Sequence, residues 1–195
     1  MNRIIAFSGS TRENSYNKKI LKSAVFGARE AGAEVTLIDL RDYPMPIYDG
    51  DLEESEGIPY NCLELKKLFK EHHALLLALP EYNGSMSGVF KNTIDWLSRT
   101  AKGEGVLECF TDKVAALISA SIGNYGGLRG LNHARAMLES INVIVMPEQV
   151  CVPRAETAFD ELGSIKDDLL RRNIEKVGSN LVNLTLRVKG FHSRP

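Results

Sequence analysis

The sequence has no C-x-x-C pair. Its three cysteines, Cys62, Cys109 and Cys151, are odd in number and far apart. That excludes zinc, iron–sulfur and dithiol readings and leaves buried or idle thiols. His72-His73 has no third ligand nearby, so no metal is expected either. The chain also has no excess of charge: 24 Lys and Arg stand against 25 Asp and Glu, a net of -1. A nucleic-acid surface shows a strong basic bias, and that class of partner falls away. No apolar run approaches the ~20 residues that span a bilayer, and no secretory leader precedes the first apolar segment. The expectation is a cytoplasmic protein with no membrane partner.

Two phosphate-loop signatures are missing as well. There is no Gly-x-x-x-x-Gly-Lys-Ser/Thr, and the glycine fingerprint of dinucleotide folds is absent because the loop after the first strand holds a single glycine, Gly9. Asp39, where such folds place a ribose-binding acid, therefore reads as a strand-end residue.

What is present is alternation. The 195 residues suit one domain, 1–195, and bury roughly 70% of the unfolded surface on folding. Ile4–Phe7 is a short apolar strand, and Ile20, Leu21, Ala24, Val25 and Ala28 then recur at helical spacing. Glu34–Asp39 is a second strand. Residues 41–60 carry Pro44, Pro46, Gly50, Gly57 and Pro59 and predict a long surface loop, with Asp51, Glu53, Glu54 and Glu56 as a solvated face. Leu65, Leu68 and Phe69 mark a short helix. Ala74–Leu79 is continuously apolar, as strands covered on both faces are. Val89–Arg99 predicts a helix, Val114–Ile118 a fourth strand, Leu131–Ile141 a helix and Val143–Met146 a fifth strand. Apolar positions from Ile165 to Val188 predict a long last helix. This β-α alternation defines an α/β three-layer sandwich with a five-stranded parallel sheet. Five strands without a glycine fingerprint favour the flavodoxin-like order 2-1-3-4-5.

In that order the loops after strands one, three and four converge at the carboxyl edge, and the unusual residues lie in those loops. The first is Ser8-Gly9-Ser10-Thr11-Arg12-Glu13-Asn14-Ser15-Tyr16-Asn17. It opens a helix whose N-terminus favours an anion, with short hydroxyl and amide donors and an arginine fork suited to phosphate. The second is Pro80-Glu81-Tyr82-Asn83-Gly84-Ser85-Met86-Ser87-Gly88. Tyr82 offers an aromatic wall, and Asn83-Gly84 either admits close backbone approach or is simply a turn. The third is Ser119-Ala120-Ser121-Ile122-Gly123-Asn124-Tyr125-Gly126-Gly127, read either as backbone contact with a ligand or as a flexible loop.

These three loops, with Lys91-Asn92-Thr93-Ile94-Asp95-Trp96-Leu97-Ser98-Arg99, make the chain similar to the NADPH-dependent FMN reductase family, a flavodoxin-like group that includes chromate/quinone and azobenzene reductases. The resemblance runs from strand one to strand five, and Pro-Glu-Tyr-Asn followed by Lys-Asn-x-Ile-Asp-Trp is its most specific part. It implies that Ser10, Arg12, Ser15 and Asn17, with Tyr16 beside them, hold the FMN phosphate. It implies that Pro80, Glu81, Tyr82, Asn83 and Gly84 meet the isoalloxazine and ribityl parts, and that Ser119, Ser121 and Gly123 meet the flavin from the third loop. It further implies NADPH or NADH as donor and a homodimer or homotetramer. The acceptor is a small molecule: a quinone, azo or nitro compound, flavin or metal oxyanion. No side-chain acid or base is then expected, since the flavin carries the chemistry. Trp96 is either plain core or part of the helix that packs between subunits. A flavodoxin-type electron carrier and an FMN-binding sensor without turnover are the alternatives. A net charge of -1 argues against the carrier, since carriers use strong acidity to steer partners.

Overall fold

The computed structural model describes residues 2–192, with only the backbone for Phe191 and His192. The elements run β1 (Arg3–Ser8), α1 (Tyr16–Glu30), β2 (Glu34–Ile38), α2 (Gly50–Glu56), α3 (Tyr60–Glu71), β3 (Ala74–Ala78), β4 (Glu81–Tyr82), β5 (Ser85–Met86), α4 (Gly88–Leu97), β6 (Val114–Ala120), α5 (Leu128–Ser140), β7 (Ile144–Val152) and α6 (Asp168–His192). β2, β1, β3, β6 and β7 lie in that order in one sheet, with every pairing parallel. This is the 2-1-3-4-5 order expected, and β4 and β5 form a separate small hairpin.

Side-chain alternation divides the core between the two faces of the sheet. Ile4, Ala6, Leu76 and Ile118 face α1 and α6, where Ile20, Ala24, Ile174, Val177 and Leu181 pack. Ile5, Phe7, Leu75, Leu77 and Leu117 face α3, α4 and α5, where Leu65, Phe69, Phe90, Trp96 and Leu131 pack. The middle strands are buried along their whole length, so their sequences are uninterrupted apolar runs.

Most boundaries shift by one to three residues, and three segments differ in kind or by more. The 41–60 segment is not all loop: Asp49 accepts hydrogen bonds from the Asp51 and Leu52 amides and starts α2. The acidic run lies on that helix. β7 continues past Met146 to Val152, because an irregularity opposite Ala115–Leu117 takes up Pro147, which has no N–H to give the ladder. The last helix begins at Asp168, while Ile165 sits before it in a bridge to Phe159.

Trp96 is fully buried, and its indole N–H donates to the Pro46 carbonyl at 2.8 Å. Asn92 reinforces the same segment, donating to Pro46 O and accepting from the Tyr48 amide. The Lys-Asn-x-Ile-Asp-Trp stretch thus anchors the loop after β2 to α4. Among the described residues no helix is long and apolar enough to cross a membrane.

Candidate functional site

At the carboxyl edge of the sheet, where β1 and β3 lead off in opposite directions, lies a cleft of about 220 Å³. Its lining comes from all three loops: Ser10, Arg12, Ser15, Tyr16 and Asn17 from the first, Pro80, Glu81 and Tyr82 from the second, and Ala120, Ser121 and Ile122 from the third.

The first loop is shaped for an anion. Ser15 stands at the N-cap of α1, yet its hydroxyl makes no capping bond, and no acidic residue occupies the first turn. The helix end therefore keeps its unpaired amides and its positive dipole. Arg12 is exposed and makes no ion pair among the described residues, and the Ser10 hydroxyl is turned back to accept from the Arg12 amide at 3.3 Å. The loop is fastened from below. Gly9 N donates to Ala78 O, and the Ser87 hydroxyl donates to Gly9 O while capping α4. A capping serine of the second loop thus fixes the start of the first.

The second loop is a hairpin. Asn83 at φ 53 and Gly84 at φ +79 both have positive φ, as the tight two-residue turn between β4 and β5 requires. Neither residue lines the cleft, and the turn is the role their geometry shows. Glu81 holds this hairpin against α5. Its carboxylate takes the Arg129 guanidinium (Nε at 2.8 Å) and the amides of Arg129 and Gly130 at 3.1 and 3.3 Å. Its side chain is only 8% exposed. Burial pushes the Glu81 carboxyl up, but Arg129 and the two amides outweigh it and hold the group below its ordinary 4.5. Its contribution is therefore full above pH 4.5 and is lost as pH falls through the lower folded value. Glu81→Gln is expected to cost about 1 kcal/mol, and to flatten that acid limb in urea titrations at different pH.

Two predicted contact residues spend their side chains internally. Asn17 donates to Ala120 O at 2.9 Å and accepts from Ala120 N at 3.0 Å, a two-bond clamp that sets α1 against the end of β6. Ser119 is fully buried and donates to Leu79 O, binding the ends of β3 and β6 together. Gly123 also lies outside the lining; its amide donates to Ser121 Oγ and shapes the third loop. Sequence reasoning missed Ala120 and Ile122, which line the cleft but carry no reactive group, and Arg129, which completes Glu81 from 48 positions away. Tyr82 and Ile122 of the lining are exposed, as is Tyr125 farther along the third loop.

Pockets that enclose a whole small ligand hold roughly 300–1,000 Å³. This cleft is smaller, so it suits one end of a ligand whose remainder lies on the aromatic rim. Fold and cleft together define a flavodoxin-like α/β protein with an uncapped helix N-terminus at the switch point of its sheet.

Comparison with known proteins narrows this class. The sequence model of the NADPH-dependent FMN reductases matches residues 2–157, and the chain belongs to that family. It is 33% identical to an NAD(P)H-dependent FMN reductase of Pseudomonas aeruginosa over 189 residues, covering 96% of this chain and 97% of the relative. It is 31% identical to an NADPH:quinone oxidoreductase of Arabidopsis thaliana over 193 residues, 96% and 94% of the two chains. Among solved structures it superposes on FerB, an NAD(P)H:(acceptor) oxidoreductase of Paracoccus denitrificans, with a TM-score of 0.79. Identity there is 26%, with 96% of this chain and 98% of the other covered.

Proposed function

We propose that this protein binds FMN in the cleft and uses it to pass two electrons from NAD(P)H to quinones. The observation that carries the proposal is the meeting of the three loops in one cleft. The residues suit the group: an open helix terminus with a serine free of any capping bond and an arginine unpaired among the described residues matches a phosphate dianion. In this reading Ser10, Arg12, Ser15 and Tyr16 surround the phosphate. Asn17 and Ser119 act as positioning residues through Ala120 and Leu79. Pro80, Glu81, Tyr82 and Ser121 border the rest of the flavin, with Tyr82 and Ile122 as its apolar walls, while Asn83, Gly84 and Gly123 shape the loops that carry them.

Bound FMN supplies reversible two-electron chemistry between a nicotinamide and an acceptor. The protein supplies position, main-chain donors of the Glu81–Gly84 segment for negative charge at the ring edge, and an open rim where donor and acceptor bind in turn. No side-chain acid or base enters. Azo and nitro compounds, flavins and metal oxyanions are further candidate acceptors. The exposed Tyr82 and Ile122 of the cleft, with Tyr125 and Leu128 exposed between the third loop and α5, suit burial in a homodimer or homotetramer, and the cytoplasm is the proposed location.

The test is spectroscopic and kinetic. The purified protein should show an FMN-type absorption spectrum, or acquire one on adding FMN, and should by itself oxidise NADPH with menadione as acceptor. A protein that holds FMN without turnover would be an electron carrier or sensor. One that ignores FMN would overturn the whole reading.

A further inference from the structure

A second cavity, larger than the cleft, lies at the other end of the sheet. It measures about 570 Å³ and opens at the amino edge of the sheet, where β3 and β6 begin. Its lining comes from α3 (Lys70), the entry to β3 (His72, His73), the segment before β6 (Glu108, Thr111, Asp112, Lys113), β6 (Val114) and α6 (Thr185, Val188, Lys189). The strands separate it from the cleft by their full length.

Lys113 is the unusual member. It is 6% exposed, and its ammonium donates to the His72 carbonyl at 2.5 Å. It has no ion pair among the described residues, although ten other Lys and Arg side chains do. A buried cation with only a carbonyl partner is costly, and an anion beside it removes most of that cost. The neighbours favour an anion too. His73 Nδ1 accepts from the Arg3 amide at 3.1 Å, so its other ring nitrogen is left as the N–H donor. Lys70 stands on the rim, its charge shared with Glu104. Two carboxylates of the lining, Glu108 and Asp112, oppose this and limit how much anionic charge the cavity takes.

We propose that this cavity is a binding site for a small oxyanion, completed by the Lys113 ammonium and the His73 ring N–H. The site is separate from the flavin cleft and stands independently of the function proposed there.

Charge states give the proposal a measurable signature. Burial pulls the Lys113 ammonium down to about 8, with Lys189 adding to the shift and Cys109 and Asp112 opposing it. His73 is pulled down to about 4, by burial first and then by Lys189, Arg3, Lys113 and His72, and stays neutral over the range of interest. Below pH 8 Lys113 is charged and ready for an anion. Above it, binding must first restore the proton. For a site that binds only when Lys113 is charged, affinity falls about tenfold from pH 7 to pH 9.

The experiment is calorimetric titration of the FMN-loaded protein with sulfate, whose charge is constant over this range. Titrations at pH 7 and 9 in two buffers of different ionisation heat count the protons taken up. Saturable binding, weaker by about tenfold at pH 9 with nearly one proton taken up there, is the expected result. Lys113→Met should abolish it, and Lys113→Arg should bind with the pH dependence removed, because the guanidinium stays charged. Arg12→Ala should leave it unchanged. No saturation at tens of millimolar, a flat pH profile in the wild type, or loss of binding in Arg12→Ala would overturn the proposal.

Discussion

Gly127→Ala is expected to destabilise the protein by about 2–5 kcal/mol, lowering Tm by roughly 5–15 °C. Gly127 precedes α5 with φ 93 and ψ 12, a left-handed conformation that a Cβ makes unfavourable by about 1–2 kcal/mol. Space is the second difficulty. A methyl there overlaps the Ser119 hydroxyl and crowds the Ser119 Cβ. Ser119 has nowhere to go: it is fully buried and bonded to Leu79 O at 2.6 Å. Overpacking of this kind typically costs about 1–3 kcal/mol more. The consequence reaches the cleft, because Ser119 and Gly127 bracket the third loop. Thermal unfolding of the single variants and of Gly127→Ala with Ser119→Ala separates the terms. Ser119→Ala alone strands the Leu79 carbonyl, but it also removes the oxygen that the new methyl strikes. The double variant should therefore lose less than the sum of the two. A Gly127→Ala cost under about 1 kcal/mol would show that the loop and helix yield freely.

The alternation of strands and helices was legible because each middle strand is an apolar run buried on both faces. Ala74–Leu79 has no polar residue to confuse its period. α2 was hidden for the opposite reason: none of its residues is fully buried, so a helix specified by the Asp49 cap leaves no apolar stripe. β7 seemed to stop at Met146 because Pro147 normally ends a strand, and an irregular pairing on a partner strand is invisible in one segment's residues. The cleft was legible as three loops, since residue types at a helix start already favour an anion. The direction of each side chain was not. Ser119 and Ser121 have the same chemistry two positions apart, yet one faces inward to Leu79 and the other lines the cleft. Asn17 has the donors of a phosphate ligand and uses them on Ala120. These outcomes depend on strand ends that meet only in the folded chain.

Arg12 is where that distinction has its largest functional consequence. Unlike Asn17 and Ser119, its side chain has no internal partner among the described residues, so the folded protein needs it little and its fork stays available for the phosphate of the proposed FMN. A hydrogen bond to a charged group contributes roughly 1.5–3 kcal/mol. Arg12→Ala is therefore expected to weaken FMN binding by about ten- to a hundredfold, with Tm of the flavin-free protein nearly unchanged. Arg12→Lys should fall between the two, keeping the charge but losing the paired geometry of the guanidinium. Riboflavin provides the control, since it carries the same ring and no phosphate. In titrations of apoprotein followed by flavin fluorescence, its affinity should be the same for wild type and Arg12→Ala, so the preference for FMN over riboflavin should shrink by the full factor. An equal loss for both flavins would mean that Arg12 shapes the loop rather than meeting the phosphate. Unchanged FMN affinity would remove it from the site and leave the helix terminus and Ser15 to hold the anion alone.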